Sequence, residues 1–345
     1  MRAGRNATLK AARSGIALAL AFALLTPRFA ARGQEAKTYV MKLSTATLND
    51  TQHEWMKRFA AAVEKDSAGR IKGEVYAASQ LGSIPRQIEG TQFGSIQGWI
   101  GPPEFLVGVD ERYEALSAPS LFTTPEQDVR VISDPLVRDM MLRLGANKGL
   151  LGIALFPLGP SSIVLRKPVA RLAEFAGMKI RVLASPFQQE MIKRLDASPV
   201  AMTLADVLPA LQQGTIDGAL GTVPVFAALH YGDAAKYIVE IGQPYVNTIA
   251  VMNKKWVEAL PADLQKVVRD DAAATSMEIV PFVNAFFAAE RKAWSDNGGE
   301  LNALAAEDET AFIAATSNIG DELSRDRPDL AEAVNIVKQS AARNK

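Results

Sequence analysis

Residues 177–218 read GMKIRVLASPFQQEMIKRLDASPVAMTLADVLPALQQGTIDG, and they alternate short apolar runs with segments of helical spacing. The pattern predicts five elements: a strand at 178–183, a helix at 187–195, an extended segment at 199–202, a helix at 204–213 and a strand at 216–220. Strands that alternate with helices in this way are typical of mostly parallel sheets covered by helices. The stretch therefore predicts an α/β domain.

Arg181 carries the main functional signal of this stretch. Met178, Ile180 and Val182 share one face of the strand, whereas Arg181 lies on the other, close to the strand's carboxyl end. Ligands of open parallel sheets bind beyond those ends, and a guanidinium presents parallel N–H donors that match a carboxylate. Spacing alone leaves two interpretations open, an arginine that binds an anionic ligand and one paired with a surface acid.

A similar unit occurs earlier in the chain. Residues 87–101 (QIEGTQFGSIQGWIG) echo residues 207–221 (VLPALQQGTIDGALG) at a fixed offset of 120. Each segment predicts a helix that ends at a glycine and is followed by a short strand. The repetition indicates two similarly built lobes in which Trp99 and Gly221–Thr222 occupy equivalent strand ends.

The length of 345 residues exceeds what one hydrophobic core usually organises, so two lobes are expected. Lobe I is predicted to comprise residues 34–158 and 250–285, and lobe II residues 159–249 and 286–345. From Pro261 to Asn297 apolar residues keep helical spacing over roughly 36 residues, or about 50 Å. Such a helix, kinked at Pro281, is predicted to lie across both lobes.

Residues 1–33 have the layout of a secretory signal peptide. A basic start without acids precedes the apolar run IALALAFALL (16–25), and Ala31-Arg32-Gly33 offers small side chains for cleavage. The apolar run is about half of what a spanning helix needs. We therefore expect a periplasmic protein that is not embedded in the membrane after cleavage.

Charge and composition exclude several functions. Removing six leader bases leaves 38 − 6 = 32 bases against 38 acids, a formal charge of −6, which does not favour nucleic acid. No cysteine is present, which excludes disulfides, a lipid-anchoring cysteine and thiolate chemistry. The only histidines are His53 and His230, and common catalytic motifs are missing. We predict no catalytic residue, metal or cofactor, although an exported carboxylate-based hydrolase stays an alternative.

The segment 177–218 resembles the signature of TRAP-transporter solute-binding proteins of the dicarboxylate-binding, DctP-like type. Upstream, GRIKGEVYAASQLGSIPRQIEGTQFGSI (69–96) and LSAPSLFT (116–123) resemble further elements of that family. The resemblance implies a two-lobed periplasmic-binding-protein-like α/β fold with a long bridging helix. It also implies small and large membrane subunits as partners, and a ligand carboxylate held by Arg181. The same fold serving an ABC importer or a sensor kinase is the other alternative.

The sequence departs from the family at one informative place. Many members have a second arginine about 20 residues before the first, where this chain has Pro160-Ser161-Ser162. A second ligand carboxylate would be poorly paired there, so a small monocarboxylate, such as a hydroxy, keto or aromatic acid, is favoured over a C4-dicarboxylate. Strand ends and adjoining loops supply the remaining predicted ligand contacts, which are Trp99, Ser185, Phe187, Thr222, Thr47 and Asn49.

Overall fold

The computed structural model describes residues 37–345, and the predicted signal peptide at residues 1–33 lies outside them. The elements of the first half are β1 Tyr39–Ser44, α1 Thr51–Asp66, β2 Ile71–Tyr76, α2 Ile84–Phe93, β3 Gly98–Gly101, α3 Pro125–Ser133, α4 Pro135–Arg143, β4 Leu150–Pro160 and β5 Ser162–Leu165. Those of the second half are β6 Lys179–Val182, α5 Pro186–Lys193, β7 Ser198–Ala201, α6 Leu204–Gln213, β8 Gly218–Gly221, α7 Val223–Ala228, β9 Tyr237–Glu240, β10 Tyr245–Asn253, α8 Lys254–Glu258, α9 Ala262–Glu278, α10 Val280–Asp296, β11 Glu300–Ala303, α11 Ala306–Thr316, α12 Ile319–Ser324 and α13 Pro328–Arg343. Between β3 and α3 lie two 3₁₀ helices, Pro103–Leu106 and Glu111–Ser117.

The strands form two sheets, one for each lobe. The first has the order β2-β1-β3-β10-β4 and the second the order β11-β9-β5-β8-β6-β7. Two of the four pairings in the first sheet and three of the five in the second are parallel. The predicted two-lobed α/β architecture is confirmed, but both sheets are mixed rather than mostly parallel. The antiparallel pairings involve β10 and β5, strands next to the points where the chain passes between the lobes.

The chain crosses from the first sheet to the second between β4 and β5, and it returns between β9 and β10. At the first crossing the backbone N–H and the hydroxyl of Ser161 donate to the carbonyl of Pro244, at 3.1 and 2.6 Å. The Gly242 N–H donates in turn to the Ser161 carbonyl at 3.1 Å. These bonds join the two crossing segments side by side. The predicted lobe boundaries stay a prediction. Helix α13 lies in the range predicted for lobe II, but it packs against α3 and α4 rather than on the second sheet's strands.

Helix α1 shows how the local sequence fixes an element. Asp50 accepts a hydrogen bond from the His53 N–H at 3.0 Å and thus caps the helix. Trp55, Phe59 and Val63 recur at helical spacing and are fully buried. The Trp55 ring stacks on Phe156 of β4, with centroids 5.3 Å apart, which anchors α1 to the first sheet.

A bent pair of helices links the lobes. α9 packs on α1 and β4 of the first lobe, and α10 packs on α7 and β11 of the second lobe as well as on β4. The two axes differ by 42°, and Pro281 stands in the first turn of α10, which confirms the predicted kink. Among residues 37–345 no single helix is long and apolar enough to cross a membrane, and only this bent pair taken together meets that test.

The internal repeat is reproduced element for element. α2 and β3 occupy residues 84–93 and 98–101, and α6 and β8 occupy residues 204–213 and 218–221, each 120 residues later. Gly94 and Gly214 end the two helices with φ of 89° and 71°, a left-handed conformation that suits glycine. The repeat thus places β3 and β8 in equivalent positions of the two lobes.

Candidate functional site

A cavity lies between the lobes, where strands of both sheets end. The space inside it is about 480 Å³ with its open mouth included. Residues at or just after the ends of β1, β3, β6 and β8 line it, as expected for ligand sites in α/β sheets. Its lining side chains with polar atoms are Thr47, Gln52, Trp99, Arg181 and Thr222.

Arg181 is held in place by backbone carbonyls of its own lobe. Its Nε donates to the Met202 carbonyl at 3.1 Å, and its Nη1 donates to the Leu220 carbonyl at 3.1 Å. These bonds fix the plane of the guanidinium. The remaining terminal nitrogen, Nη2, is buried and has no hydrogen-bond partner within residues 37–345.

The charge of Arg181 is uncompensated. The side chain is only 2% exposed, and no ion pair within the described part of the chain includes it. Burial lowers the pKa of Arg181 to about 10, because removal from water disfavours the charged form. Charges in protein interiors are usually paired. This guanidinium is therefore suited to an anion that arrives from outside the chain.

Two further hydrogen-bond donors on the wall of the cavity also lack partners within the described residues. The indole Nε1 of Trp99 and the hydroxyl of Thr222 are buried and bond to nothing within residues 37–345. Trp99 belongs to β3 of the first lobe and Thr222 follows β8 of the second. The cavity thus brings together unpaired donors from both lobes, as the internal repeat predicted for these strand ends.

The other polar side chains already have partners. Thr45 donates from its hydroxyl to Gln52 Oε1 at 3.0 Å, and the Thr45 and Thr47 hydroxyl oxygens are 3.4 Å apart. The rest of the wall is apolar and includes Ile84, Phe105, Leu158, Leu183, Leu204 and Val225. The cavity therefore combines one cation, a few donors and a hydrophobic surround.

The structure does not bring Ser185 and Phe187 to the cavity. Ser185 caps α5, because its hydroxyl accepts from the Gln188 N–H at 3.1 Å, and it donates to Glu114 Oε1 at 2.9 Å. The Phe187 ring is fully buried in the hydrophobic core, and its N–H donates to the same carboxylate oxygen at 2.5 Å. Both residues are adjacent to the Arg181 strand in sequence, but their contacts hold α5 to the 3₁₀ helix at 111–117.

Asn49 also lies outside the lining. It is exposed, and its backbone N–H donates to the Nδ1 of His53 at 3.1 Å. Sequence reasoning missed Gln52, Phe105 and Leu204, which do line the cavity. Gln52 lies in the first turn of α1, beyond the loop that supplied Thr47, so the rule of strand ends and adjoining loops does not select it.

Two buried carboxyls lie near the cavity but not on it. Glu104 accepts from the Ser117 hydroxyl at 2.8 Å, and Oε2 of both Glu104 and Glu114 lacks a partner within residues 37–345. Burial raises the pKa of Glu104 and of Glu114 to about 7.

Across residues 37–345 no group of three or more His, Cys, Asp or Glu side chains could hold a metal ion.

Residues 43–326 match the family described as bacterial extracellular solute-binding protein, family 7. The chain belongs to this family. The C4-dicarboxylate-binding periplasmic protein DctP of Rhodobacter capsulatus is 26% identical over 338 residues, which cover 94% of this chain and 96% of the relative. Family membership confirms the resemblance to TRAP solute-binding proteins and the prediction of a binding protein rather than an enzyme.

Solved structures of such proteins share the fold of this family 7 protein. A TRAP periplasmic solute-binding protein from Desulfovibrio salexigens with bound orotic acid has a TM-score of 0.85 at 20% identity, over 89% of this chain and 100% of that one. One from Anaerococcus prevotii with bound D-glucuronate has a TM-score of 0.83 at 23% identity, over 89% and 99%. Both likenesses confirm the two-lobed architecture.

Proposed function

We propose that this family 7 protein binds a small organic monocarboxylate between its lobes, with the guanidinium of Arg181 holding the carboxylate. The observation that carries the proposal is the buried Nη2 of Arg181, which has neither a hydrogen-bond partner nor a carboxylate beside it within residues 37–345. A bound carboxylate would supply both the acceptor and the opposite charge. Such a pair is strong where water is excluded.

The preference for one carboxylate follows from the charge of the lining. Arg181 is the one cationic residue among the cavity-lining residues of the described chain. A second carboxylate would be buried without a counter-charge, which costs several kcal/mol. The Rhodobacter relative is named for C4-dicarboxylates, whereas the Desulfovibrio and Anaerococcus proteins hold orotic acid and D-glucuronate. Proteins of this fold therefore differ in the acids they take.

Delivery to a membrane transporter completes the proposal. The signal peptide predicted at residues 1–33 would direct the chain to the periplasm, and the Rhodobacter relative is named as a periplasmic protein. There the loaded protein would dock on the small and large TRAP membrane subunits. Cell fractionation tests the location, and uptake into proteoliposomes that contain these subunits tests the delivery.

A thermal-shift panel on the wild type and Arg181→Gln tests the binding site. Monocarboxylates, dicarboxylates and neutral amides of similar size are compared. A ligand at about 100 times its Kd stabilises the native state by about 2.7 kcal/mol, and we expect a monocarboxylate to give such a shift in the wild type only. Stabilisation by succinate or malate but by no monocarboxylate would refute the preference. An equal shift in Arg181→Gln would refute the role of the arginine.

A further inference from the structure

The wall around Arg181 is apolar on the sides contributed by both lobes. Phe105 and Leu158 come from the first lobe, and Leu183 and Val225 from the second. Such side chains make no hydrogen bonds. A ligand body in contact with them gains from burial of its apolar surface and loses wherever it carries a hydroxyl.

The internal repeat contributes a matched pair to this wall. Ile84 is the first residue of α2 and Leu204 is the first residue of α6, and the two positions are 120 residues apart. Both line the cavity. Equivalent helix starts in the two lobes thus face the ligand with branched aliphatic side chains, and we refer to Ile84 and Leu204 together as the aliphatic pair.

The lining offers unpaired donors and few acceptors. The unpaired side-chain atoms are the Arg181 Nη2, the Trp99 Nε1 and the Thr222 hydroxyl, and the first two can only donate. The side-chain oxygens of Thr47 and Gln52 already take part in hydrogen bonds with Thr45. One carboxylate provides about four lone-pair sites, enough for three donors. A ligand hydroxyl donates as well as accepts, and the only lining side chains of the described residues that could accept from it are Thr47, Gln52 and Thr222.

We infer that the ligand is a monocarboxylate with an apolar, unhydroxylated body, an aliphatic or aromatic acid. This inference rests on the function proposed above, because it takes the carboxylate to lie on Arg181. A single added hydroxyl in an apolar pocket lowers preference by about 100-fold. A sugar acid, which carries several hydroxyls, is therefore excluded by the same wall that favours the apolar acid, and the aliphatic pair determines this specificity.

Calorimetric titration of the purified protein tests the inference with five probes. Phenylacetate and 4-methylpentanoate are the apolar acids, D-gluconate and D-glucuronate are the hydroxylated acids, and phenylacetamide is the neutral counterpart. We expect one of the apolar acids to bind about 100-fold more tightly than either sugar acid, or more, and the amide to bind far more weakly than its acid.

The outcomes separate this inference from the proposed function. If a sugar acid binds as tightly as the apolar acids or more tightly, the inference is overturned while the carboxylate site stands. If no carboxylate binds, or if phenylacetamide binds as well as phenylacetate, the proposed function fails and the inference fails with it.

Two variants on one helix test the aliphatic pair. Leu204→Asn places an amide on the wall, and we expect the better apolar acid to bind at least about 10-fold more weakly. Leu208→Asn is the control, because Leu208 is also half-buried on α6 but does not line the cavity. Circular dichroism and melting confirm that both variants fold. Equal affinities in the two variants would show that Leu204 does not determine specificity.

Discussion

Replacing Arg181 by methionine should separate binding from stability. The substitution removes the charge but keeps an unbranched side chain in a site that is only 2% exposed. Burial lowers the pKa of Arg181 well below the ordinary value of a guanidinium, to about 10. At about 1.4 kcal/mol per pKa unit, the buried charge costs the free protein roughly 3 kcal/mol, which the variant recovers.

The lost hydrogen bonds work in the opposite direction. Arg181 donates to the carbonyls of Met202 and Leu220, and bonds from a charged donor are worth about 1.5–3 kcal/mol each. The two bonds together are worth about 3–6 kcal/mol, so their loss offsets or exceeds the recovery. We expect the free energy of unfolding of the ligand-free variant to fall by no more than about 3 kcal/mol.

Ligand binding should respond quite differently. Removal of one partner of a buried, hydrogen-bonded charge pair costs about 2–5 kcal/mol, which is a loss of roughly 30-fold to several thousand-fold in affinity. Urea unfolding of the free protein and calorimetric titration with a bound monocarboxylate measure the two quantities. Lower stability with unchanged affinity would refute the reasoning.

Arg194→Met is the matched control. Arg194 is also largely buried, but it pairs with Glu190 at 3.2 Å and with Glu322 at 2.5 Å, away from the cavity lining. Its replacement removes both ion pairs, so we expect lower stability and unchanged affinity. The affinity measurement should therefore separate the two variants.

The remaining predictions concern residues around the cavity. Burial raises the pKa of Glu104 and Glu114 to about 7, so between pH 4.5 and pH 7 the native state keeps protons that the unfolded chain releases. The free energy of unfolding should therefore fall by up to roughly 3 kcal/mol per carboxyl over that pH range. In urea titrations, Glu104→Gln should show a smaller decrease with pH than the wild type. Trp99→Phe removes an unpaired indole N–H, and calorimetry should show about 5- to 30-fold weaker binding; unchanged affinity would contradict a contact from that N–H. Gly101→Ala would place a Cβ 2.4 Å from the Trp99 ring, so melting should reveal about 1–3 kcal/mol of destabilisation; a wild-type melting curve would show that the ring yields freely.

Local patterns predicted the parts of the fold that depend on neighbours in sequence. The repeat at an offset of 120, the glycine ends of α2 and α6 and the bend at Pro281 are all short-range features. The antiparallel insertion of β10 between β3 and β4 was not predicted, because it pairs residues 245–253 with residues 150–160 and 98–101. The sequence pattern from Glu307 to Ser324 predicts one helix, but the structure has two, Ala306–Thr316 and Ile319–Ser324.

Local sequence patterns also predicted only part of the candidate site. Arg181, Trp99, Thr222 and Thr47 reach the cavity because strand ends in α/β sheets converge, a rule that needs no knowledge of partners. Ser185 satisfies the same rule but is engaged by Glu114, a carboxylate 71 residues away in sequence. A long-range partner of this kind leaves no trace in the local pattern.

The anchoring of Arg181 by carbonyls of its own lobe has a consequence for the order of events. Neither Met202 nor Leu220 belongs to the first sheet, so the guanidinium would keep its orientation if the lobes moved apart. On the function proposed above, an incoming acid would meet this oriented guanidinium first, and we expect the association rate constant to depend on it. We expect Trp99, from the opposite lobe, to affect the residence time of the ligand instead, so stopped-flow traces of Trp99→Phe should show a higher koff with constant kon.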